Sequence, residues 1–377
     1  MSGVISDNTV RSSGVVAPLT SATLDASNPA KDTNPTDGVG TKWINTTSGQ
    51  IFICTDATAD ANEWVGQEGT NIPPTFMGNR AVFAGGMLTG GGSPTVTNVI
   101  QFASIDSPGN CQDFGDLTEA RGGGPVGASG EGRGTFAGGY TAPGNSSNID
   151  YITISTTGNA SLLSDLTADM SGQGASDGIG GFLRSNGTAD IYLWTIASSA
   201  NASDYADLNY STNYGLASGC STDDRIFWAG GHDGATTTYD YISYKSTLNN
   251  TICQDFGNLY EAVYQTAGTS NGTYGFIVGG HNQAGAVVKT IQRITISTPG
   301  NASDFGDLVG GPGSGISMSG ACAGTPTRCL CATGGNHTGG NSFSDKIDYW
   351  NPDSPGNAPA VGDLIDPTNG SSALSGD

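Results

Sequence analysis

A repeated phrase is the feature that most constrains this chain. Variants of Asp-Phe-Gly-Asp-Leu recur six times, at intervals of about 50 residues. They end at Leu117, Leu166, Leu208, Leu259, Leu308 and Leu364. A second phrase, an apolar pair followed by Gly-Gly, keeps step with the first and ends at Gly86, Gly139, Gly231, Gly280 and Gly335, with a degenerate copy expected at 180–183. Repeats of this length predict six similar structural units.

Each unit contains four short segments that favour β-strands. They are a run of small residues such as 126–129, the Gly-Gly phrase, a run such as 149–154 and the Asp-Phe-Gly-Asp-Leu phrase. Sixty Gly and 16 Pro among 377 residues supply the many turns that an all-β chain of short strands needs. We therefore predict an all-β fold in which residues 79–377 form a six-bladed β-propeller.

The two ends of the repeat region predict how the propeller closes. The first unit begins at Asn79 without a first-strand segment, and the last unit runs on into 371–377, which matches one. An unclosed blade would expose sheet edges. We therefore expect a C-terminal strand to close the first blade.

The order of segments resembles kelch and galactose-oxidase-type blades. In both, a Gly-Gly pair closes the second strand, a Tyr-containing third strand follows, and a short fourth strand ends in Leu. The Trp that is usual in the fourth kelch strand is replaced here, by Phe114, Tyr205, Phe256 and Phe305. The resemblance covers residues 79–377 and implies an architecture rather than an activity.

The first 78 residues differ from the repeats. Residues 1–40 lack periodicity and are expected to form an extended arm, 41–70 a small β-hairpin anchor with Trp43, Phe52 and Trp64, and 71–78 a linker. The stretch from Trp43 to Asp56 resembles a segment frequent in bacteriophage tail-fibre and virion-appendage proteins. The repeats are similar to those of structural proteins of marine bacteriophages, notably cyanophages.

These resemblances imply a bacteriophage virion structural protein, a tail fibre or head decoration at the particle surface. Residues 1–78 would bind other virion proteins, and a homotrimer is one arrangement because phage fibres are commonly trimers. The formal net charge of −21 disfavours binding to nucleic acid or to an anionic membrane. No apolar run approaches the ~18 residues of a membrane-spanning helix, so no membrane insertion is expected.

Seven cysteines at irregular spacing argue against a disulfide framework. We expect Cys111, Cys220, Cys253 and Cys322 to be small buried residues. The remaining pair in one strand, Cys329 and Cys331, supplies too few ligands for a zinc site.

The residues that follow the Gly-Gly pairs are the candidate ligand-binding residues: Tyr140, His232, His281 and His337. They would line one face of the propeller and recognise a glycan of the host surface or a neighbouring protein; alternatively, they only begin a loop. No metal site is expected, because histidines of different blades should lie far apart. Pairs such as Asp113 and Asp116 could bind Ca²⁺ or bond their own backbone.

Three functions remain open at this stage. The first is a non-enzymatic virion component without a cofactor, and the second is a receptor-binding, lectin-like protein that mediates host attachment to surface polysaccharide. The third, a propeller enzyme, would require metal ligands or two carboxylates at the propeller axis. The small-residue first strands expected there provide neither, so we predict no catalytic residues.

Overall fold

The computed structural model describes residues 22–30, 32–46, 51–66, 78–88, 95–130, 132–142, 144–210, 225–247, 252–309, 321–332, 334–336 and 342–376. Strands and turns make up these residues, and none of them is helical. The chain divides into two compact units, Met1–Pro73 and Pro74–Asp377. The linker predicted at 71–78 lies almost wholly outside the described residues.

The N-terminal unit is built on a four-stranded sheet. Its strands, in spatial order, are Thr23–Asp25, Lys42–Asn45, Ile51–Asp56 and Glu63–Gly66. The first pair is parallel, with Leu24 opposite Ile44, and the others are antiparallel. Residues 23–25, which belong to the extended arm expected from the sequence, form an edge strand of this sheet. Three residues are too few for a recognisable alternation, and their partner strand lies about 20 residues away.

The larger unit contains six antiparallel sheets within the described residues. Sheet 1 is Ser372–Gly376, Arg80–Ala84, Val99–Ser104 and Gln112–Asp116. Sheet 2 is Val126–Gly130, Arg133–Ala137, Gly144–Thr153 and Ser161–Met170. Sheet 3 is Gly172–Ser176, Gly180–Ser185, Asp190–Thr195 and Ser203–Asp207. The chain is all-β and propeller-like.

The remaining three sheets follow the same plan. Sheet 4 is Arg225–Ala229, Tyr241–Ser246 and Gln254–Asn258. Sheet 5 is Ala267–Ser270, Tyr274–Val278, Thr290–Thr295 and Ser303–Asp307. Sheet 6 is Ala321–Gly324, Cys329–Ala332, Lys346–Trp350 and Ala360–Asp363. Two-residue strands extend the loops at Met87–Leu88, Thr95–Val96, Tyr140–Thr141, Gly335–Asn336, Ser342–Phe343 and Thr368–Asn369.

The hydrophobic core lies between the sheets. Six buried clusters each combine side chains of two sheets that are consecutive in the chain, or of the last and the first. One of them joins Leu330 and Ile347 of sheet 6 to Phe83 of sheet 1. The same two sheets are linked by the chain itself, because the C-terminal strand belongs to sheet 1, where Leu374 pairs with Val82. This is the pairing that the sequence predicts for the C-terminal segment.

The Gly-Gly phrase permits a close approach between consecutive sheets. Gly85 and Gly86 have φ angles of 64° and 124°, which favour glycine. The Gly86 N–H donates to the Arg121 carbonyl, which leads into sheet 2, at 2.9 Å. A Cβ added at Gly85 would lie 2.3 Å from that same oxygen. The phrase therefore recurs because the main chain of the next sheet leaves no room for a side chain.

The Asp-Phe-Gly-Asp-Leu phrase forms a second contact between sheets, which we name the asparagine clasp. An Asn of a turn in the next sheet accepts, through Oδ1, a hydrogen bond from the backbone N–H at the second Asp position. The residue after that Asn donates its own N–H to the backbone carbonyl of the residue at this second Asp position. The described pairs are 116 with 159, 165 with 201, 258 with 301, 307 with 357 and 363 with 110.

The glycine of the Asp-Phe-Gly-Asp-Leu phrase is also required by the close approach of a neighbouring main chain. A Cβ at Gly306 would lie 2.1 Å from the Gly356 carbonyl oxygen, so the clasp needs glycine on the strand. Asn159, Asn201 and Asn301, each followed by Ala-Ser in a glycosylation-like motif, are thus turn residues of the clasp.

The degenerate third copy of the Gly-Gly phrase is displaced from its predicted position. Gly180 and Gly181 open their strand, where Gly180 pairs with Thr195. The strand register places Ser185, the last residue of this strand, and Asn186 at the two positions that the Gly-Gly pair occupies in the other units. The glycines at 180–181 have another cause: a Cβ at Gly181 would lie 2.1 Å from the Trp194 ring.

Two cysteines form a disulfide that the sequence did not predict. Cys322 and Cys331 face each other on adjacent antiparallel strands of sheet 6, with a Cα–Cα distance of 4.1 Å. The prediction of a free, small buried residue is therefore wrong for Cys322, because hairpin register decides which cysteines meet. It is confirmed for Cys253, which is 3% exposed, while Cys111 is half-buried and Cys220 lies outside the described residues. Among the described cysteines Cys54, Cys111, Cys253 and Cys329 are free.

The disulfide should stabilise sheet 6. Because it closes a loop of nine residues, we expect its removal in the double variant Cys322→Ala, Cys331→Ala to lower the free energy of unfolding by about 2–3 kcal/mol. Thermal unfolding with and without reductant measures this. Reductant should destabilise the native protein and leave the double variant unchanged; an equal response of both proteins would contradict the assignment.

Candidate functional site

One end of sheets 4 and 5 gathers aromatic and imidazole rings. Here the loops between second and third strands meet the segments that join one sheet to the next. His232 follows the Gly-Gly pair of sheet 4 and His281 that of sheet 5, whereas Tyr264 lies in the segment between the two sheets. Tyr264 and His281 exchange backbone hydrogen bonds of 3.0 and 2.9 Å, which fixes the segment against the loop.

Both histidine rings contact the ring of Tyr264. The ring centroids of His232 and Tyr264 are 4.9 Å apart, and those of Tyr264 and His281 are 5.2 Å apart and stacked. The segment that joins the two sheets thus brings both loops to one tyrosine ring, which lies between the two histidines. His281 is buried, whereas the His232 side chain keeps 19% exposure.

The other two candidates do not join this stack. Tyr140 lies in sheet 2, where its backbone exchanges hydrogen bonds with Gly122 of the segment that joins sheets 1 and 2. It thus has the same structural place as His281, three sheets earlier in the chain. His337 lies outside the described residues.

Three tyrosines that the sequence analysis did not single out form a second ring cluster at the same end of sheet 4. The ring centroids of Tyr241 and Tyr239 are 5.4 Å apart and stacked, and those of Tyr241 and Tyr210 are 5.1 Å apart, edge to face. The Tyr210 hydroxyl donates to the carbonyls of Gly230 and Tyr241, at 3.3 and 3.4 Å. Burial raises the pKa of Tyr210 well above its usual range. The spacing of Tyr239 and Tyr241 was the available indication, since alternate residues of a strand share a face.

A cavity of about 100 Å³ lies between the first strands of sheets 1, 2, 3, 5 and 6. Its walls consist of small residues, chiefly Gly, Ala and Ser, with Gln173 as the largest polar side chain. The described residues that line it include neither a carboxylate nor an imidazole.

The paired aspartates do not assemble a cation site in the part of the chain that the structure describes, where no three His, Cys, Asp or Glu side chains group together. At Asp116 and Asp307 the backbone, rather than the carboxylate, makes the specific contact, through the asparagine clasp. This contact joins two sheets through the backbone, and it decides between neither of the two roles considered for the carboxylates.

The predicted anchor residues face the interior of the N-terminal unit. Phe52 and Trp64 are buried together with Cys54, and Trp43 packs edge to face on Trp64 with ring centroids 5.9 Å apart. Phe52 and Trp64 thus stabilise the small sheet from within, while Trp43 remains partly exposed. The opposite face of this sheet is aliphatic instead.

We name this opposite face the aliphatic face. Leu24, Ile44 and Ile51 lie directly opposite one another on three strands, and Val65 lies opposite Ile53 on the next pair. Leu24 is 66% exposed and Ile53 is 44% exposed. Neighbouring exposed aliphatic side chains on one sheet face mark a contact surface. The sequence pattern of Ile51, Phe52, Ile53 and Cys54 is apolar on both faces, and so could not show which face is covered.

Comparisons with known proteins add a fold likeness alone. No known family and no curated protein matches the chain. Among solved structures, that of YjhT aligns with 69% of this chain and 92% of its own length, with 13% sequence identity and a TM-score of 0.49. Within the described residues there is also no helix that could span a membrane.

The loop beside His232 yields a pH-dependent prediction. The Asp233 carboxylate accepts hydrogen bonds from the N–H groups of Ala235, Thr236 and Thr237, at 2.8, 2.8 and 2.9 Å. These bonds hold the pKa of Asp233 well below its ordinary value of 3.8. A lowered pKa means that the carboxylate stabilises this loop at and above pH 3.8, and that the contribution is lost as the pH falls through the lowered pKa.

A carboxyl ¹³C NMR titration measures this directly. We expect Asp233 to remain ionised at pH 3.8, with the three amide shifts of the loop unchanged down to that pH. A midpoint at the ordinary value would contradict the loop geometry.

Proposed function

We propose that this protein is a non-enzymatic structural component of a bacteriophage virion, in which a closed six-bladed propeller is attached to the particle by the N-terminal unit. The observation that carries the proposal is that the two units differ in the surfaces they leave exposed. In the large unit the described sheets pack on one another through repeated contacts. The small unit buries Phe52 and Trp64 and leaves an aliphatic face exposed.

Contacts between sheets 6 and 1 support the closed ring. The Asp363 N–H donates to Asn110 Oδ1, as at the other asparagine clasps. The Ile365 N–H donates to Gln101 Oε1 at 2.7 Å, and Arg328 donates to the Asp106 carbonyl at 2.6 Å. Arg80 and Arg225 reach the following sheet in the same way. A junction between last and first sheets that repeats the internal junctions is what a ring requires.

The absence of catalytic groups from the described cavity supports a structural role. The cavity between the first strands lies where a propeller enzyme of the kind considered above would bind its substrate, and its walls consist of main chain and small side chains. A surplus of acidic residues, 34 against 13 basic ones, suits a particle surface that must remain soluble.

The aliphatic face is the proposed attachment surface, with another virion protein as its partner. Most of its side chains are aliphatic, and Lys42 shares the face, directly opposite Ile53. Docking would bury side chains such as Leu24 and Ile53 that are now exposed. The resemblance of residues 43–56 to segments of phage tail-fibre proteins points to the same part of the chain.

Removal of the last strand tests the closed ring. A chain that ends at Asn369 lacks the strand Ser372–Gly376 and the buried Leu374. We expect its free energy of unfolding to fall by more than ~3 kcal/mol, since loss of one buried Leu costs that much. Chemical denaturation of this chain and of a control that lacks only Asp377 measures the effect. Equal stability of the two chains would contradict closure.

Attachment through the aliphatic face can be tested in phage particles. We expect Leu24→Asp or Ile53→Asp to reduce the amount of this protein in purified particles at least ~10-fold, because a buried charge without a partner prevents docking. Ile179→Asp, at an exposed aliphatic residue of the other unit, is the matched control and should be incorporated normally. Quantitative mass spectrometry of the particles reads out both. Normal incorporation of the two aliphatic-face variants would refute the attachment surface, and absence of the native protein from particles would refute the virion role.

A further inference from the structure

The exposed aromatic side chains of the larger unit are concentrated at one place. Among the described residues, the aromatic side chains classed as exposed are those of Tyr241 and Tyr260, at 43% and 61%. Tyr241 begins the middle strand of sheet 4 and pairs with Asn258, so that Tyr260 follows its partner strand by two residues. Both tyrosines therefore lie at the same end of one sheet, next to the ring cluster described above.

The Tyr241 ring is exposed, and yet two neighbouring tyrosine rings hold it in place. Its ring stacks on Tyr239 with an interplanar angle of 21° and meets the edge of Tyr210 at 71°. Tyr210 is fixed in turn, since its hydroxyl donates to two backbone carbonyls. A ring that is already immobilised loses little conformational entropy when a ligand covers it. This arrangement is typical of a binding surface, since a tyrosine that served packing alone would bury its ring.

Three acidic residues are neighbours of these rings along the chain, while a cation near the cluster, Arg184, is buried beside Tyr210. The Asp240 carboxylate lies between Tyr239 and Tyr241 in sequence and accepts a hydrogen bond of 2.9 Å from Asn258 Nδ2. Asp233 and Glu261 lie on the adjoining segments. Acidic groups repel an anionic ligand, while carboxylate and amide oxygens accept hydrogen bonds from neutral hydroxyl groups.

We propose that Tyr241 and Tyr260 form a binding site for a chain of neutral hexopyranose units. The C–H face of a pyranose ring would stack on the immobilised Tyr241 ring, and its hydroxyl groups would donate to the acidic and amide side chains nearby. Tyr260 would contact the next unit of the chain. The site differs from the one expected from the sequence, because His281 is buried and Tyr140 belongs to another sheet.

This site does not depend on the virion role, because binding is measured with the isolated full-length protein. The probes are the neutral hexasaccharides of glucose and mannose (maltohexaose, cellohexaose, laminarihexaose and mannohexaose), with the anionic hexagalacturonate for comparison. Titration calorimetry gives affinities, and saturation-transfer NMR identifies the sugar protons that contact the protein.

We expect saturable binding of at least one neutral hexasaccharide and none of hexagalacturonate. Tyr241→Ala and Tyr260→Ala should each weaken binding at least ~10-fold. Tyr241→Phe keeps the ring and should retain binding, as should Ile179→Ala at an exposed residue elsewhere. Circular dichroism and thermal unfolding verify that each variant is folded.

Several results would overturn the proposal. They are no saturable binding of any neutral hexasaccharide up to about 10 mM, unchanged affinity in both alanine variants, and a preference for hexagalacturonate. Loss of binding in Tyr140→Ala but not in Tyr241→Ala would place the site in sheet 2 and would equally overturn it.

Discussion

The contact on which the larger unit depends is the asparagine clasp between neighbouring sheets. Its two hydrogen bonds join backbone groups of one fourth strand to a turn in the next sheet, as between Asp307 and Asn357. Each bond contributes only about 1 kcal/mol, but the clasp fixes the distance between sheets. The apolar clusters between the sheets can then pack in one register, which explains why Asp-Phe-Gly-Asp-Leu and the turn before it recur together.

The close approach of neighbouring sheets also explains why the repeats contain so much glycine. Glycine is required wherever the main chain of the next sheet approaches, as at Gly85 and Gly306. Several of the 13 basic residues have structural partners: Arg80, Arg133, Arg225 and Arg328 each donate to a carbonyl of another sheet and lie over an aromatic ring. Some acidic residues are structural as well, such as Asp150, which is buried and paired with Arg121, whereas most of the described acidic residues are not buried.

Repetition determined how much of this could be predicted from the sequence. The four strands of a unit and the C-terminal strand of sheet 1 follow from phrases that recur with the same spacing, because equal local sequences form equal local structures. Features that occur only once in the chain could not be predicted from the sequence. The Cys322–Cys331 disulfide depends on one hairpin register, the strand Thr23–Asp25 is too short to show a pattern, and the Tyr210, Tyr239 and Tyr241 cluster depends on how two sheets pack. Which face of the N-terminal sheet is covered was equally hidden, since both faces are apolar in sequence.

Amide hydrogen exchange at the clasps tests the central claim of a closed ring most directly. The Asp116, Asn258 and Asp307 amides lie at internal junctions, and the Asp363 amide lies at the junction of sheets 6 and 1. In a closed ring every junction opens only when its neighbours do, so the account predicts that the Asp363 amide is protected to within about tenfold of the other three. Exchange of Asp363 at the rate of a fraying end, with the other three protected, would contradict it.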